Sequence, residues 1–238
     1  MAELKNLEEI QSEIIPNLLD SDLLQNQYLE DVNLSQARKL PLECEVLYYP
    51  NFIPFDLRDE LFSKFSNEFE WEVRKAKTAT SENKYKLNRA TCVFGDDEVV
   101  APEIWGDNAV VNKWTPELMT LKTQIESLTG KKYNICLCNY YKNGKHSIGF
   151  HSDNEERGST SSIASISLGA KRPFIFRKIV QPEERYTHIL DHGSLLIMGE
   201  GCQETYQHTV PIDKTMKDPR VNLTFRLFDA ERYGIKDD

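Results

Sequence analysis

Apolar residues recur at helical spacing in two places along the chain. In FDLRDELFSKFSNEF, Leu57, Leu61, Phe62, Phe65 and Phe69 share one face and predict an amphipathic helix. In TPELMTLKTQIESLTG, Leu118, Leu121, Ile125 and Leu128 form a second stripe, with Thr115 as N-cap, Pro116 at the first helical position and Gly130 as the stop. From residue 133 onward the helical period disappears. YNICLCNYY, SSIASISLGA, RPFIFRKIV, SLLIMG and VNLTFRLF are short runs bounded by Gly, Asn, Asp or Pro, and they predict strands. Earlier, CEVLYYPNFIP at 44–54 reads as a strand and a turn, and 71–95 as a β-hairpin with its tip near 78–83. Many short strands after two helices predict an α+β chain whose core is a sandwich or barrel with helices over one face.

Residues 1–43 break this texture. They are acidic, leucine-rich and poor in aromatics, and Pro16 interrupts the helical pattern of LEEIQSEII. A partly helical or disordered extension is expected there, with one domain over 44–238. The plainest reading of the extension is a tail of little function.

Composition is that of a soluble globular protein, with 28% charged residues. No apolar run reaches the roughly 18–20 residues needed to span a bilayer, and MAELKNLEEI lacks the basic and apolar regions of a secretory signal. No membrane association is expected. Cys44, Cys92, Cys136, Cys138 and Cys202 are sparse and odd in number, which suits reduced thiols in the nucleus or cytoplasm. The net charge of -9 argues against a polyanion partner until its distribution is considered. Residues 1–40 hold eight acidic side chains against three basic ones. Residues 73–89 hold Arg74, Lys75, Lys77, Lys84, Lys86 and Arg89 against Glu82 alone. A second basic group comprises Lys171, Arg172, Arg177 and Lys178. Screening hides charges beyond about 10 Å, so such local clusters decide what binds. The bland alternative for 74–89 is a solvated hairpin face.

GFHSDNEERG carries the first candidate chemistry. In an extended strand His151 and Asp153 point the same way and can share one ion. Such pairs are mostly surface turns, so a third ligand is required. His146, His188, His192 and His208 are available, and the first three also suit ordinary turn positions. Two histidines and a carboxylate hold non-haem iron(II) and leave positions open. In RVNLTFR, the residues Arg220, Asn222, Thr224 and Arg226 share a strand face, opposite Val221, Leu223 and Phe225. A solvent-facing strand edge would account for them. So would a pocket for a small dianion, since arginine binds carboxylates with charge-assisted bonds. A dicarboxylate beside iron points to 2-oxoglutarate, and Asn139 and Tyr141 share a strand face that could add donors.

Taken together, NYYKNGKHSIGFHSDNEE, SIASISLGAKRPFIFR, HGSLLIMG, YQHTVP and RVNLTFR resemble the AlkB family of Fe(II)/2-oxoglutarate-dependent dioxygenases, closest to its eukaryotic-type DNA repair members. The resemblance implies a double-stranded β-helix (jelly-roll) core over 133–228, flanked by the N-terminal helices. It implies iron on His151, Asp153 and His208, with 2-oxoglutarate and O2 as co-substrates. Arg220 would meet the distal carboxylate and Arg226 the carboxylate at the metal end, aided by Asn139, Tyr141, Asn222 and Thr224. Glu155 would contact the exocyclic amine of the target base. LNRATCVFGDD is similar to the family's nucleotide-recognition lid, which implies a lid over 71–100 containing Arg89 and Phe94. Phe94 stands where relatives have tyrosine, so a ring remains for stacking but the hydroxyl is gone. Contacts to the nucleic-acid backbone would come from Arg74, Lys75, Lys77, Lys84, Lys86, Lys171 and Arg172. The implied activity is oxidative demethylation of N-alkylated bases (1-methyladenine or 3-methylcytosine) in DNA or RNA, with release of formaldehyde, succinate and CO2, by a monomer. The alternatives are the same chemistry on a protein, lipid or small molecule, and a barrel that binds without catalysis.

Overall fold

Alternation along RVNLTFR divides the molecule into two sides. Val221, Leu223 and Phe225 are fully buried under the helices, while Arg220, Asn222, Thr224 and Arg226 are buried on the opposite face. The computed structural model describes residues 37–78, 81–97, 99–106, 109–155 and 158–228. Most of the expected N-terminal extension and the tip of the expected hairpin lie outside the described residues.

In chain order the elements are β1 (Arg38–Lys39), β2 (Val46–Tyr49), α1 (Phe55–Glu68), β3 (Lys75–Thr78), β4 (Ser81–Lys86), β5 (Ala90–Gly95), a 3-10 turn (Glu103–Trp105) and β6 (Val111–Asn112). There follow α2 (Pro116–Thr129), β7 (Ile135–Tyr141), β8 (Ile148–His151), β9 (Ser162–Gly169), β10 (Arg172–Lys178) and β11 (Arg185–Leu190). The chain continues with β12 (Ser194–Gly199), a single helical turn α3 (Cys202–Thr205), β13 (Tyr206–Val210) and β14 (Arg220–Arg226).

The described strands form an eight-stranded sheet in the order β1-β2-β12-β9-β14-β7-β5-β6 and a four-stranded sheet in the order β11-β10-β13-β8. From β7 onward the chain passes back and forth between them, since β7, β9, β12 and β14 belong to the large sheet and β8, β10, β11 and β13 to the small one. This winding is the double-stranded β-helix, the jelly roll expected from the sequence. The hairpin β3–β4 stands apart as its own two-stranded ribbon.

The helices cover the outer face of the large sheet. Leu57, Leu61 and Phe65 of α1 and Leu118, Leu121, Ile125 and Leu128 of α2 pack against Cys136, Cys138, Ala164, Ile166 and Leu223. The ends of α2 follow their sequence signals: Thr115 Oγ1 accepts the Leu118 N–H at 3.3 Å, and Gly130 is left-handed at φ 68°. Between the sheets, Val46, Tyr48, Ile163, Phe174, Phe176 and Leu196 fill one half of the barrel. The other half opens as a cavity of about 440 Å³, with polar side chains set among apolar ones.

One glycine fixes the loop that follows β7. A Cβ on Gly144 would lie 1.7 Å from the Asp213 carbonyl oxygen. That close approach lets the β7–β8 loop clasp the segment before β14, with Gly144 N–H donating to Met216 O and Asp213 N–H to Gly144 O.

Candidate functional site

His151 ends β8, and His208 stands directly opposite it on β13. Their ring centroids are 4.3 Å apart. Asp153 follows just beyond β8, where Gln203 of α3 accepts its backbone N–H at 2.8 Å. Its carboxylate lies 3.3 Å from His151 Nε2 and 3.4 Å from His208 Nε2. One ligand atom from each of the three lies within 4.8 Å of the others.

The protonation states suit a cation. Burial and the neighbouring His151 push the His208 imidazole below its ordinary pKa, so it is neutral. Burial alone would raise the Asp153 carboxyl, but Arg226, His208 and His151 together hold it well below the usual carboxylate range. Nδ1 of His151 lies 2.9 Å from Gly149 O, which orients the ring with Nε2 towards Asp153. Arg226 Nη2 forms an ion pair with Asp153 Oδ1 at 2.8 Å. The buried carboxylate, with Oδ1 near His151 and Oδ2 near His208, fits a divalent metal. The donor set suits iron(II).

Asn139, Tyr141, Arg220, Asn222, Thr224 and Arg226 all line the same cavity, on adjacent β7 and β14. Arg220 is only 1% exposed, and it donates to Ser167 Oγ at 2.9 Å. Its Nε and Nη1 have no partner, and burial pushes its pKa down to about 10. A buried guanidinium with unspent N–H groups in a cavity wall is costly unless it meets an anion. Asn222 is a scaffold, since it donates to Ser165 Oγ and Ile166 O and accepts from Asn139 and Thr224.

Arg226 and Glu155 occupy the far wall. Arg226 Nη1 donates to both Glu155 carboxylate oxygens at 2.8 Å, and Trp105 Nε1 donates to one of them at 2.8 Å. Burial opposes the Arg226 charge, but Asp153 and Glu155 more than offset it and raise its pKa. The guanidinium also lies 5.2 Å from the centre of the Trp105 ring. Glu155, expected at the base, and Arg226, expected at the metal-end carboxylate, are thus bound to each other. Arg89, on the opposite wall, donates through Nε to Asn139 Oδ1.

Four of the expected placements need correction. Phe94 does not face the cavity: it packs in the core with its ring centroid 4.5 Å from that of Phe69. Arg89 and Phe94 have opposite strand parity, so they cannot both face inward. Arg172 is 1% exposed and donates to the carbonyls of His146 and Pro211, so it is unavailable to a phosphate. It shares the inward parity of Phe174 and Phe176. Arg74 is largely covered and pairs with Glu72 at 2.9 Å. Lys75, Lys84 and Lys86 are exposed, Lys171 is exposed and paired with Asp191 at 2.7 Å, and the Lys77 side chain lies outside the described residues. The lid expectation also narrows, because β5 is a full member of the large sheet; among the described residues of 71–100, Tyr85, Leu87 and Arg89 line the cavity, joined by Ile104 and Trp105 just beyond.

Trp105, Gln203 and Tyr85 were not anticipated. Only Trp105 carried a usable signal, as an aromatic residue just before a glycine in a segment with no period. The other histidines keep ordinary roles, as expected. His192 accepts the Gly169 N–H through Nδ1 and lies 3.0 Å from Asp59 through Nε2, and His146 accepts the Lys142 N–H.

A jelly roll with two histidines, a carboxylate and a buried unpaired arginine in one cavity defines an oxygenase of the iron and 2-oxoglutarate class. Residues 45–226 match the 2OG-Fe(II) oxygenase superfamily, and the chain belongs to it. Its relatives are AlkB homologues. The human alpha-ketoglutarate-dependent dioxygenase alkB homolog 3 is 38% identical over 191 residues, covering 76% of this chain and 65% of that protein. Human DNA oxidative demethylase ALKBH2 is 33% identical over 177 residues, covering 71% of this chain and 67% of its own length. The chain thus spans about two thirds of the length of these curated relatives. The solved structure of OsALKBH1 superposes with a TM-score of 0.57 at 17% identity, over 79% of this chain and all of that one, and supports the fold. The superfamily's cofactors are iron(II) and 2-oxoglutarate. The five cysteines are free and buried, and no described helix is long and apolar enough to cross a membrane.

Proposed function

We propose that this chain demethylates N-alkylated bases in nucleic acid, with 44–228 acting as one catalytic unit. His151, Asp153 and His208 would hold iron(II). With 2-oxoglutarate and O2, the bound metal supplies the oxidation of the N-methyl group, releasing formaldehyde, succinate and CO2. The remaining steps belong to the protein's own residues. Arg220 offers its Nε and Nη1 protons to the distal carboxylate of 2-oxoglutarate, which neutralises a charge otherwise buried alone. Asn139 and Tyr141 line the same wall, with Asn222 and Thr224 fixing Asn139 from behind. Arg226 holds Asp153 and Glu155 in place and supplies positive charge at the metal end.

Glu155 is the base reader in this proposal. Trp105 and Arg226 fix its carboxylate at the cavity wall. Methylation at N1 of adenine or N3 of cytosine makes the base cationic, and a fixed carboxylate accepts its exocyclic N–H. The base reaches this depth only after leaving the stack, which costs a few kcal/mol. Arg89 ties the rim to Asn139, and the exposed Lys75, Lys84, Lys86 and Lys171 would meet phosphates.

The observation that carries this reading is the joining, in one cavity, of the His151–Asp153–His208 cluster with the unpaired Arg220. The nucleic-acid part draws support from the relatives' names and the exposed lysines of the hairpin. Incubation with iron(II), 2-oxoglutarate and methylated DNA and RNA oligonucleotides, read by base mass and formaldehyde, tests it. Succinate formation that no methylated oligonucleotide stimulates would move the substrate to another class.

A further inference from the structure

The outer face of the small sheet carries a charge arrangement that its own packing does not explain. Arg177 on β10 stands directly opposite Arg185 on β11. Like charges at directly opposed positions destabilise a sheet. The lysine beside them is neutralised: Lys178 lies 2.7 Å from both Glu43 and Glu184. Arg177 and Arg185 have no carboxylate within ion-pair distance among the described residues.

Both guanidiniums are nevertheless held in place. Arg177 donates through Nε and Nη2 to Gln207 Oε1 at 3.1 and 2.7 Å. Its guanidinium carbon lies 3.9 Å from the centre of the Phe150 ring, and that of Arg185 lies 5.7 Å from the same ring. Arg185 adds only a bond from Nε to the Pro182 carbonyl. Such stacking fixes a guanidinium while leaving its outer N–H groups unspent. The position matters as well. Phe150 and Gln207 lie on the rim of the cavity, each next in sequence to one of the paired histidines His151 and His208. The two free cations therefore sit just outside the place where a target base would enter.

We propose that Arg177 and Arg185, backed by Phe150 and oriented by Gln207, form a phosphate shelf. It binds the phosphodiester backbone of the strand that delivers its base to the cavity. An anion there removes the repulsion between the two arginines, which face the same side of adjacent strands. The shelf rests on the nucleic-acid reading above. It replaces the inward-facing Arg172 as the small sheet's contribution.

The test is fluorescence anisotropy of the full chain with a short labelled single-stranded oligodeoxynucleotide bearing one 1-methyladenine, over a series of salt concentrations. Arg185→Gln is the cleanest variant, because that side chain is exposed and bonds only a carbonyl. Arg177→Gln and the charge-preserving Arg177→Lys accompany it, with thermal melting to establish folding. Each Gln variant should bind several-fold more weakly, and each lost phosphate contact should flatten the slope of log K against log salt by about 0.7. Arg177→Lys should keep the wild-type slope. Gln variants with wild-type affinity and slope, beside a wild type that binds, would overturn the shelf and leave the nucleic-acid reading intact. A wild-type chain that binds no oligonucleotide would overturn both.

Discussion

Arg226 Nη1 lies 2.8 Å from both oxygens of Glu155, while Nη2 of the same guanidinium lies 2.8 Å from Asp153. One arginine thus joins the carboxylate assigned to the metal and the carboxylate assigned to the base. Arg226→Ala should leave two buried carboxylates uncompensated. The expected cost is about 3–5 kcal/mol of stability, measurable as a shift in the urea midpoint. Glu155→Gln keeps the shape and much of the bonding, so it should fold almost normally and lose turnover on cationic bases.

Arg220 should behave in the opposite way. Its charge is buried with two unpartnered N–H groups, so Arg220→Met should raise the melting temperature of the ligand-free protein. It should also abolish the stabilisation that 2-oxoglutarate gives the wild type. Loss of two charge-assisted bonds, at roughly 1.5–3 kcal/mol each, predicts an affinity for 2-oxoglutarate lower by about 100-fold or more. A lower melting temperature with an unchanged 2-oxoglutarate shift would contradict the anion-site assignment.

Stability should also report a histidine outside the site. His188 is held neutral by burial, with Arg38 adding to the effect, and its Nε2 has no hydrogen-bond partner. Its folded pKa lies below the unfolded value of about 6.5. The unfolded chain therefore takes up the proton first, so the stability tied to neutral His188 is full above about pH 6.5 and is lost as pH falls towards the folded value. His188→Phe, stacking against Tyr48 and Tyr186, should flatten the fall in urea midpoint between neutral pH and about pH 5.

Gly144 offers a steric test of the clasp between the β7–β8 loop and the segment before β14. A side chain there meets the Asp213 carbonyl, so Gly144→Ala should force the β7–β8 loop off its partner. An expected cost of about 1–3 kcal/mol, with faster proteolysis near residues 142–147, would show it.

Much of this was legible in the sequence, and parity explains both the successes and the failures. The two helices were marked by apolar stripes and caps, and β7, β9, β12 and β14 by apolar runs buried on both faces. β8 and β11 were missed because they are partly exposed and mixed in polarity, so IGFH and RYTHIL resemble loops. The face shared by Arg220, Asn222, Thr224 and Arg226 followed from alternation alone. The same alternation, applied to Phe94 and Arg172, would have turned the first outward to the helices and the second inward. What no alternation could reveal was the pairing of Arg226 with Glu155 or the clasp of Gln203 on Asp153, because those contacts join segments far apart in the chain.

The central claim is that His151, Asp153 and His208 hold the iron that demethylates a base. The most direct measurement follows one methylated oligonucleotide by mass spectrometry, with iron(II) and 2-oxoglutarate, in the wild type and in Asp153→Ala. Loss of one methyl group, with formaldehyde and succinate formed in equal amounts, is expected in the wild type alone. Demethylation that persists in Asp153→Ala, or succinate formed while the base keeps its methyl group, would contradict it.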